Sequence, residues 1–278
     1  MLTRRLLIVG MMVVSACAGN SAPEPAAQGT NDPSRSGTVK PGAGDLDGVE
    51  PVSTSDICAD IKGNATLTQD FSALVGRLCD GSTLKNLRGK FYAGTGEPQM
   101  IVTAKEVAGA KSDLTLASAS SVSSSAKSYF NMMRLQISKP SQFTSEGYES
   151  DPKVTYNVLV PGTNKVGFAY KNTAEAPEVI VDYEAEATLL EVKKDSIYVV
   201  ASKLTKFKET VQEFKGIIVI SKRDSGSGAE VYSLSDQKYD NNNNHATTVQ
   251  KFTKNATAET KRSFNNSSSA SKADKYFQ

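Results

Sequence analysis

Residues 179–190, V-I-V-D-Y-E-A-E-A-T-L-L, form the most regular stretch of this 278-residue chain. Apolar or small side chains occupy every second position, and charged or polar side chains occupy most of the positions between them. A period of two is typical of a β-strand with one buried face. The apolar face comprises Val179, Val181, Tyr183, Ala185, Ala187 and Leu189, and the polar face comprises Asp182, Glu184, Glu186 and Thr188.

Similar strand patterns lie on both sides of this stretch, separated by short turn sequences. P-G-T-N at 161–164, K-K-D at 193–195 and a Gly-rich run at 224–228 are typical of hairpin turns. Connections this short can join only antiparallel strands. Further strands are predicted at 154–160, 166–170, 197–204, 214–220 and 231–234.

The segment that precedes these strands is mixed. A short apolar run predicts a first strand at 98–104, and the Ser/Ala-rich residues 117–125 predict a loop. A helix follows, because apolar side chains then recur at helical spacing, and Pro140 ends that helix at or before Lys139. The apolar positions of the helix are Ala126, Tyr129, Phe130, Met133 and Ile137.

The segment that follows the strands predicts a long C-terminal helix over about 245–265. Val249, Phe252, Ala256 and Phe264 mark one apolar face. Asn241–Asn244 precede it, and asparagine is a favourable N-cap residue. Threonine-rich composition lowers its intrinsic helix propensity, so the helix needs packing against the sheet.

Together these elements predict an α+β fold with a curved antiparallel sheet of about six strands packed on the C-terminal helix. The order of elements over 98–265 resembles the helix-grip fold of the START-like superfamily. That resemblance implies a sheet that wraps around the terminal helix and an apolar cavity between the two. A β-sandwich, or a half-barrel with a helix, is the alternative fold.

The first 17 residues carry the features of an exported protein. Arg4 and Arg5 precede a nine-residue apolar core at 6–14, which is too short to span a bilayer. Val14-Ser15-Ala16-Cys17 resembles the lipobox of bacterial lipoproteins. The resemblance implies cleavage after Ala16 and attachment of diacylglyceryl and acyl (palmitoyl) groups to Cys17. Ala18, in place of an aspartate, then favours the outer membrane.

A linker is predicted between this anchor and the folded domain. Residues 17–54 are rich in Gly, Pro, Ser and Ala and nearly free of large apolar side chains. Such a segment cannot bury enough surface to offset its chain entropy. Residues 1–16 are therefore assigned to a signal peptide, 17–54 to the lipidated cysteine and linker, and 55–278 to a single globular domain.

Two cysteines remain in the domain, Cys58 and Cys79. Because an exported chain enters an oxidising compartment, the pair predicts a disulfide. Between them Phe71, Leu74, Val75 and Leu78 have helical spacing, which places Cys79 on the last turn of a helix. A Cys/His zinc site is the alternative, but the chain contains one histidine, His245, and cannot complete such a site.

Signatures of catalysis and of nucleic-acid binding are weak. His245 would have to serve any Ser-His-Asp or Cys-His enzyme, and an Asn-rich turn before a helix favours a solvent-exposed position instead. Asp182, Glu184 and Glu186 share a strand face about 6.5–7 Å apart, a spacing found in inverting glycosidases. The chain has no tryptophan to stack a sugar, so a solvated strand face is favoured. Beyond the signal peptide 30 basic and 30 acidic residues balance, which gives no basic footprint for nucleic acid.

We therefore expect a membrane-anchored envelope lipoprotein without enzymatic activity, cofactor or metal. Its expected role is structural, or docking to another envelope protein. The alternative is binding of a lipid or another apolar molecule between the sheet and the C-terminal helix. The residues of that cavity would be Tyr129, Phe130, Met133, Val181, Tyr183, Val249 and Phe252.

Overall fold

The computed structural model of the chain describes residues 54–80, 83–87, 99–107, 111–122, 124–139, 154–175, 179–208, 211–223, 228–240 and 273–277. Several predicted features lie outside these residues. They are the signal peptide and lipobox, most of the linker, the hairpin turn at 224–228 except Gly228, and the C-terminal helix predicted at 245–265 with His245, Val249 and Phe252. Among the helices described, none combines the length and the apolar character needed to cross a bilayer.

The described strands form one antiparallel sheet in the spatial order β1-β2-β8-β7-β6-β5-β4-β3. Eight strands belong to it, whereas the sequence predicted a first strand at 98–104 and a sheet of about six, and β2 is the strand that was not predicted. Strand β8 lies beside β2, and strands β3 to β8 follow one another along the chain as antiparallel hairpins. The bounds are β1 Gln99–Val107, β2 Lys111–Val122, β3 Val154–Val160, β4 Lys165–Glu175, β5 Val179–Lys193, β6 Ile197–Phe207, β7 Val211–Lys222 and β8 Ala229–Asp240.

The loop predicted at 117–125 is wrong over most of its length, because β2 continues to Val122. This strand pairs with β1 on one side and with β8 on the other. Its small side chains are buried, and Ser118 Oγ lies 2.6 Å from Ser233 Oγ of β8. Pairing on both edges and burial on both faces decide the conformation here, and they override the weak strand propensity of Ser and Ala.

The two faces of β5 follow the predicted alternation. Tyr183, Ala185, Ala187 and Leu189 are buried on one face. The carboxylates between them are partly exposed on the other face, where Thr188 is also buried. The turn after β5 is as predicted, and Asp195 adopts a positive φ of 54° within it.

Helices cover both faces of the sheet. Four short helices, which we call the helical layer, lie on one face: α1 Thr54–Gly63, α2 Ala65–Asp70, α3 Ser72–Cys79 and α4 at 83–87. The predicted helix in the middle of the chain is α5, Ala126–Ser138, and it packs on the opposite face against β4, β6, β7 and β8. We call these the disulfide face and the α5 face.

The disulfide face takes its name from the bond between Cys58 in α1 and Cys79 in α3, whose Cα atoms are 5.6 Å apart. Phe71, Leu74, Val75 and Leu78 are buried on one side of α3, as their spacing predicts. They pack with apolar side chains of the sheet, most of them aliphatic, into one core. The sheet contributes Ala117, Ala119, Ile197, Val199, Ala201, Ile217, Val219, Tyr232 and Leu234.

The α5 face carries a second core, which includes the buried side of α5. A helical turn at 273–276 joins it through Ala273. Asp274 accepts hydrogen bonds from Asn131 Nδ2 at 2.8 Å and from Ser128 Oγ, and Arg134 lies over the Phe277 ring at 4.2 Å. Residues 273–277 are therefore held against α5.

Candidate functional site

Four of the seven residues predicted to line a ligand cavity come together in the structure. Tyr129, Phe130, Met133 and Tyr183 are buried in the α5-face core. The Phe130 ring stacks on that of Tyr198, with centroids 4.8 Å apart. Val181 lies in β5, but its side chain is outside the described part of the molecule, as are Val249 and Phe252. The four described residues pack as core side chains.

Aromatic rings fill the neighbouring part of the α5 face, over β3, β4 and β5. The Tyr156 ring stacks on the Phe168 ring, with centroids 5.1 Å apart. The Tyr183 ring lies against those of Phe168 and Tyr170, with centroid distances of 6.4 and 5.6 Å. The Tyr156 hydroxyl donates a hydrogen bond to the Ile137 carbonyl at 2.9 Å, and burial raises the pKa of Tyr156. This region is closely packed.

The arrangement differs where β6 and β7 separate. Their ladder runs from Ile197–Ser221 to Lys203–Lys215 and ends there. Beyond this point β6 remains paired with β5 as far as Phe207, and β7 remains paired with β8 down to Val211. The end of the sheet is therefore split between two adjacent strands, and we call the opening the β6–β7 cleft.

A β-bulge lies on each side of the cleft. In β6 the register with β5 passes from Ala185–Leu204 to Glu184–Lys206, which leaves Thr205 as the extra residue. In β7 the register with β8 passes from Glu213–Lys238 to Val211–Tyr239, which leaves Gln212 as the extra residue. A bulge bends its strand and increases the local twist. The two bulges accompany the divergence of β6 and β7.

The cleft opens into a groove of about 660 Å³, which is lined by β7 and Leu204 of β6 and also by α2, α3, β2 and β8. Leu114, Leu204 and Phe214 belong to the α5-face core or pack against it, and they form an apolar wall of the groove. Phe71 and Leu74 of the helical layer line it as well. Because residues of both faces line one groove, the cleft connects the region beneath the helical layer with the α5 face.

Charged side chains surround the groove, and several are paired. Arg77 of α3 binds the Asp236 carboxylate of β8 through both guanidinium nitrogens, at 2.7 and 2.9 Å. Lys238 donates a hydrogen bond to Glu213 at 3.0 Å, which raises the pKa of Lys238. The groove therefore combines a polar rim with an apolar wall.

A row of small side chains crosses the α5 face directly beside the cleft. The cross-strand pairs Ser235–Gly216, Gly216–Ser202 and Ser202–Ala187 place four small residues in succession on β8, β7, β6 and β5. We call them the small row. The bulkier Leu116 and Val166 stand at its two ends.

Ser202 in the small row carries an unsatisfied hydroxyl. The residue is 2% exposed, and its Oγ has no hydrogen-bond partner in the described structure. A buried hydroxyl without a partner lowers stability by about 1–3 kcal/mol. By contrast, Ser235 Oγ in the same row accepts a hydrogen bond from Gln237 Nε2 at 3.5 Å.

Phe214 lies between the groove and the small row. A β-carbon at Gly216 would stand 3.2 Å from the Phe214 ring and 3.3 Å from Ser235 Cβ. The ring thus lies along its own strand, over the glycine two residues further on. The absence of a side chain at Gly216 is what allows the ring to take this position.

The carboxylates of β5 form a ladder of ion pairs with lysines. Asp182 is paired with Lys171 at 3.3 Å and Glu184 with Lys208 at 3.0 Å. Glu186 lies 3.6 Å from Lys165. The hydrogen bond from Lys208 lowers the pKa of Glu184, so this group does not resemble a general acid. In the described part of the chain no group of three His, Cys, Asp or Glu side chains could hold a metal.

The cleft was not predicted, although the sequence contains a signal for it. Leu204 and Phe207, and likewise Val211 and Phe214, are three residues apart. Their register partners show that each pair lies on one face, because a bulge adds one residue between its members. Two apolar spacings of three on either side of a short turn therefore indicate facing bulges.

A scan of the sequence against protein-family models finds no match, and a search of the curated proteins finds none. Among solved structures, the chain is similar to the Zhui aromatase/cyclase from a Streptomyces species, with 8% identity and a TM-score of 0.40 over 65% of this chain and 97% of that chain. It is similar to a STAR-related lipid transfer protein from Xanthomonas axonopodis, with 11% identity and a TM-score of 0.38 over 57% and 96%. It is also similar to human STARD10, with 9% identity and a TM-score of 0.41 over 69% of this chain and 80% of that chain. The last two are START-related by name.

Proposed function

We propose that the domain binds an amphiphilic small molecule in the β6–β7 cleft. The observation that carries this proposal is the groove of about 660 Å³ at the split end of the sheet. Pockets for small molecules usually have volumes of about 300–1,000 Å³ and apolar walls with a few polar groups. The binding is non-catalytic in this proposal.

The chemistry of the groove supports an amphiphile. Leu114, Leu204 and Phe214 offer an apolar wall, which favours an alkyl or aromatic body. The charged side chains at the rim are in contact with water and favour a polar head. A purely apolar ligand would leave this rim without a role.

The exposed apolar side chains favour ligand binding over a protein-docking role. Among the described residues the large exposed ones are Leu159, Val160, Phe207 and Tyr276. Leu159 and Val160 lie beside the β3–β4 turn, whereas Phe207 lies at the opposite end of the sheet, beside the cleft. They do not form one apolar patch of the kind that marks a protein interface.

We also propose that the domain is held at the outer membrane through lipid chains on Cys17. The lipobox supports this proposal, since two or three acyl chains anchor a protein stably and one does so only marginally. In cells fed with labelled palmitate, the wild-type chain should carry the label in the membrane fraction. Cys17→Ser should abolish the label, and a labelled Cys17→Ser chain would contradict the proposal.

Ligand binding can be tested with dodecanoate and the full chain carrying Cys17→Ser. Native mass spectrometry should detect a one-to-one complex, and calorimetry should give its dissociation constant. Leu204→Trp should fill the cleft and weaken binding about tenfold or more. Leu159→Trp makes the same change at an exposed leucine at the other end of the sheet, and it should leave binding unchanged.

Equal weakening by both variants would remove the cleft as the site. The absence of any complex between wild-type protein and dodecanoate, together with a clean unliganded mass after purification, would contradict the proposed function.

A further inference from the structure

The small row carries a feature that the packing of the protein does not explain. Ser202 is almost fully buried, yet its hydroxyl has no hydrogen-bond partner among the residues that the structure describes. Buried hydroxyls normally have at least one hydrogen bond. An alanine would fit the same position without the penalty of an unsatisfied group, so the serine is not accounted for by stability.

The β6–β7 ladder ends at the pair Lys203–Lys215, and Ser202 belongs to the next pair into the sheet. It is paired with Gly216 across β6 and β7. On the same face, the next residue of each strand is Leu204 and Phe214, and both line the groove. The Phe214 ring over Gly216 is therefore the side chain that separates the groove from the small row.

Movement of Phe214 would join the two regions. Phe214 is buried in the α5-face core, but no side chain at position 216 holds its ring in place. Rotation of Phe214 into another rotamer would uncover Gly216 and, beside it, the Ser202 hydroxyl. A ligand in the cleft would then extend over the small row.

We propose that Ser202 binds the inner end of the ligand through a hydrogen bond, and that the ligand therefore has an apolar body with a hydroxyl or carbonyl group at its buried end. This inference rests on the proposed function. The Ser202 hydroxyl both donates and accepts, so either group satisfies it. Ser202 is a specificity-determining residue in this arrangement, and Phe214 is the side chain that moves aside.

The test compares dodecanoate with its ω-hydroxy derivative, which differs only at the end remote from the carboxylate. Calorimetry on the full chain carrying Cys17→Ser should show that the ω-hydroxy compound binds about tenfold more tightly. In Ser202→Ala this preference should disappear, because the buried hydroxyl of the ligand then lacks its partner. The affinity for dodecanoate itself should be unchanged.

Ser235→Ala is the matched control, since Ser235 lies in the same row and its hydroxyl already accepts a hydrogen bond from Gln237. This variant should keep the preference for the ω-hydroxy compound. Without ligand, Ser202→Ala should unfold at equal or higher urea concentration than wild type, whereas Ser235→Ala should unfold at lower concentration. If Ser202 had only a structural role, Ser202→Ala would lower the urea midpoint as Ser235→Ala does.

Each other result has a distinct meaning. If both compounds bind wild-type protein equally, or if Ser202→Ala keeps the preference, the role of Ser202 is refuted and the proposed function stands. If neither compound binds any variant, the proposed function fails first, and the role of Ser202 fails with it.

Discussion

The two faces of the sheet are built from alternate residues of the same strands, yet they differ in how their space is filled. On β7, Ile217 faces the helical layer and is completely buried, whereas its neighbour Gly216 faces α5 and has no side chain. The disulfide face is occupied by aliphatic side chains and by helices joined through Cys58 and Cys79. The α5 face has a closely packed aromatic part and, beside it, the small row and the cleft.

This difference indicates that the two faces have different roles, one in stability and one at the candidate site. A core that is filled and cross-linked holds the sheet in shape, and the other face can then contain small side chains and an unsatisfied hydroxyl. Groups of this kind reduce stability and are retained in functional sites when the rest of the structure compensates for them. We expect the disulfide face to supply that compensation, because it is filled and cross-linked.

The largest expected effect comes from the two neighbouring isoleucines of β7. Ile217→Ala should lower the free energy of unfolding by about 4 kcal/mol, and Ile218→Ala by about 2 kcal/mol. Ile217 lies under the helical layer, whereas Ile218 on the α5 face has Ser233 and Val200 as cross-strand neighbours. Urea unfolding of both variants measures the difference. A larger loss in Ile218→Ala would contradict the view that the disulfide face carries most of the stability.

Loss of the disulfide should have the next largest effect. Cys58 and Cys79 are 21 residues apart, and opening a loop of this size should cost about 3 kcal/mol. The double change Cys58→Ser and Cys79→Ser, measured by urea unfolding, should match wild-type protein under reducing conditions. If the unfolding midpoint does not move, the helical layer is held by packing alone.

Gly216→Ala probes the boundary between cleft and small row. The new β-carbon would lie 3.2 Å from the Phe214 ring, so the ring must shift, and we expect a loss of about 1–2 kcal/mol. In the arrangement proposed above, the ligand extends over Gly216 once Phe214 has moved aside, so the added methyl group should also obstruct the ligand and weaken dodecanoate binding. Gly63→Ala, at a helical position with nothing within 4 Å of its β-carbon, is the control and should leave binding unchanged. Unaltered binding in Gly216→Ala would place the ligand elsewhere.

The ion pair between Arg77 and Asp236 links the helical layer to β8, but both side chains are about half exposed. Such pairs contribute about 0.2–1 kcal/mol. Arg77→Gln should therefore reduce stability only slightly, and the reduction should shrink at high salt. A double-mutant cycle with Asp236→Asn isolates the pair, and a coupling of several kcal/mol would show that the helical layer depends on charge rather than on its core.

The smallest effect concerns Glu184 on the exposed side of β5. Its pKa is lowered chiefly by the hydrogen bond from Lys208. A carboxyl group with a lowered folded-state pKa stabilises the fold above its unfolded pKa, and this contribution disappears as the pH falls through the folded value. Urea midpoints between about pH 6 and pH 3 should therefore fall slightly less in Glu184→Gln than in wild type. An identical decline would mean that the ion-pair ladder does not contribute.

Much of the sheet could be predicted from local pattern. Strands β3 to β5 and helix α5 follow the periodicity of their apolar residues, because one face of each element must be buried whichever neighbour covers it. Strands β6, β7 and β8 are buried on both faces and follow instead from short apolar runs between turn sequences. The pairing of Cys58 with Cys79 followed from their number and from the expected compartment. Strand β2 could not be predicted in this way, because Ser118 and its neighbours have no apolar period and are ordered by pairing with β1 and β8.

The candidate site was harder to predict. Tyr129, Phe130, Met133 and Tyr183 lie together in the α5-face core, and periodicity indicates the direction of each side chain within its own element. Whether that face contains a cavity depends on which side chains meet across strands, and this is a property of register. The groove lies instead beside Leu204 and Phe214, at the end of the sheet where β6 and β7 separate. Between these two residues along the chain lie the short β6–β7 turn and the two bulges.

The sequence by itself determined the antiparallel strands, the middle helix and its end, and the pair of cysteines able to cross-link the helical layer. These features depend on residue type and spacing within a short segment. Only the tertiary structure decided that Ser235, Gly216, Ser202 and Ala187 form one row, that β6 and β7 separate beyond Lys203, and that Phe214 lies over Gly216. These features depend on the register of four strands at once, because a shift of one residue would move every side chain of a strand to the other face.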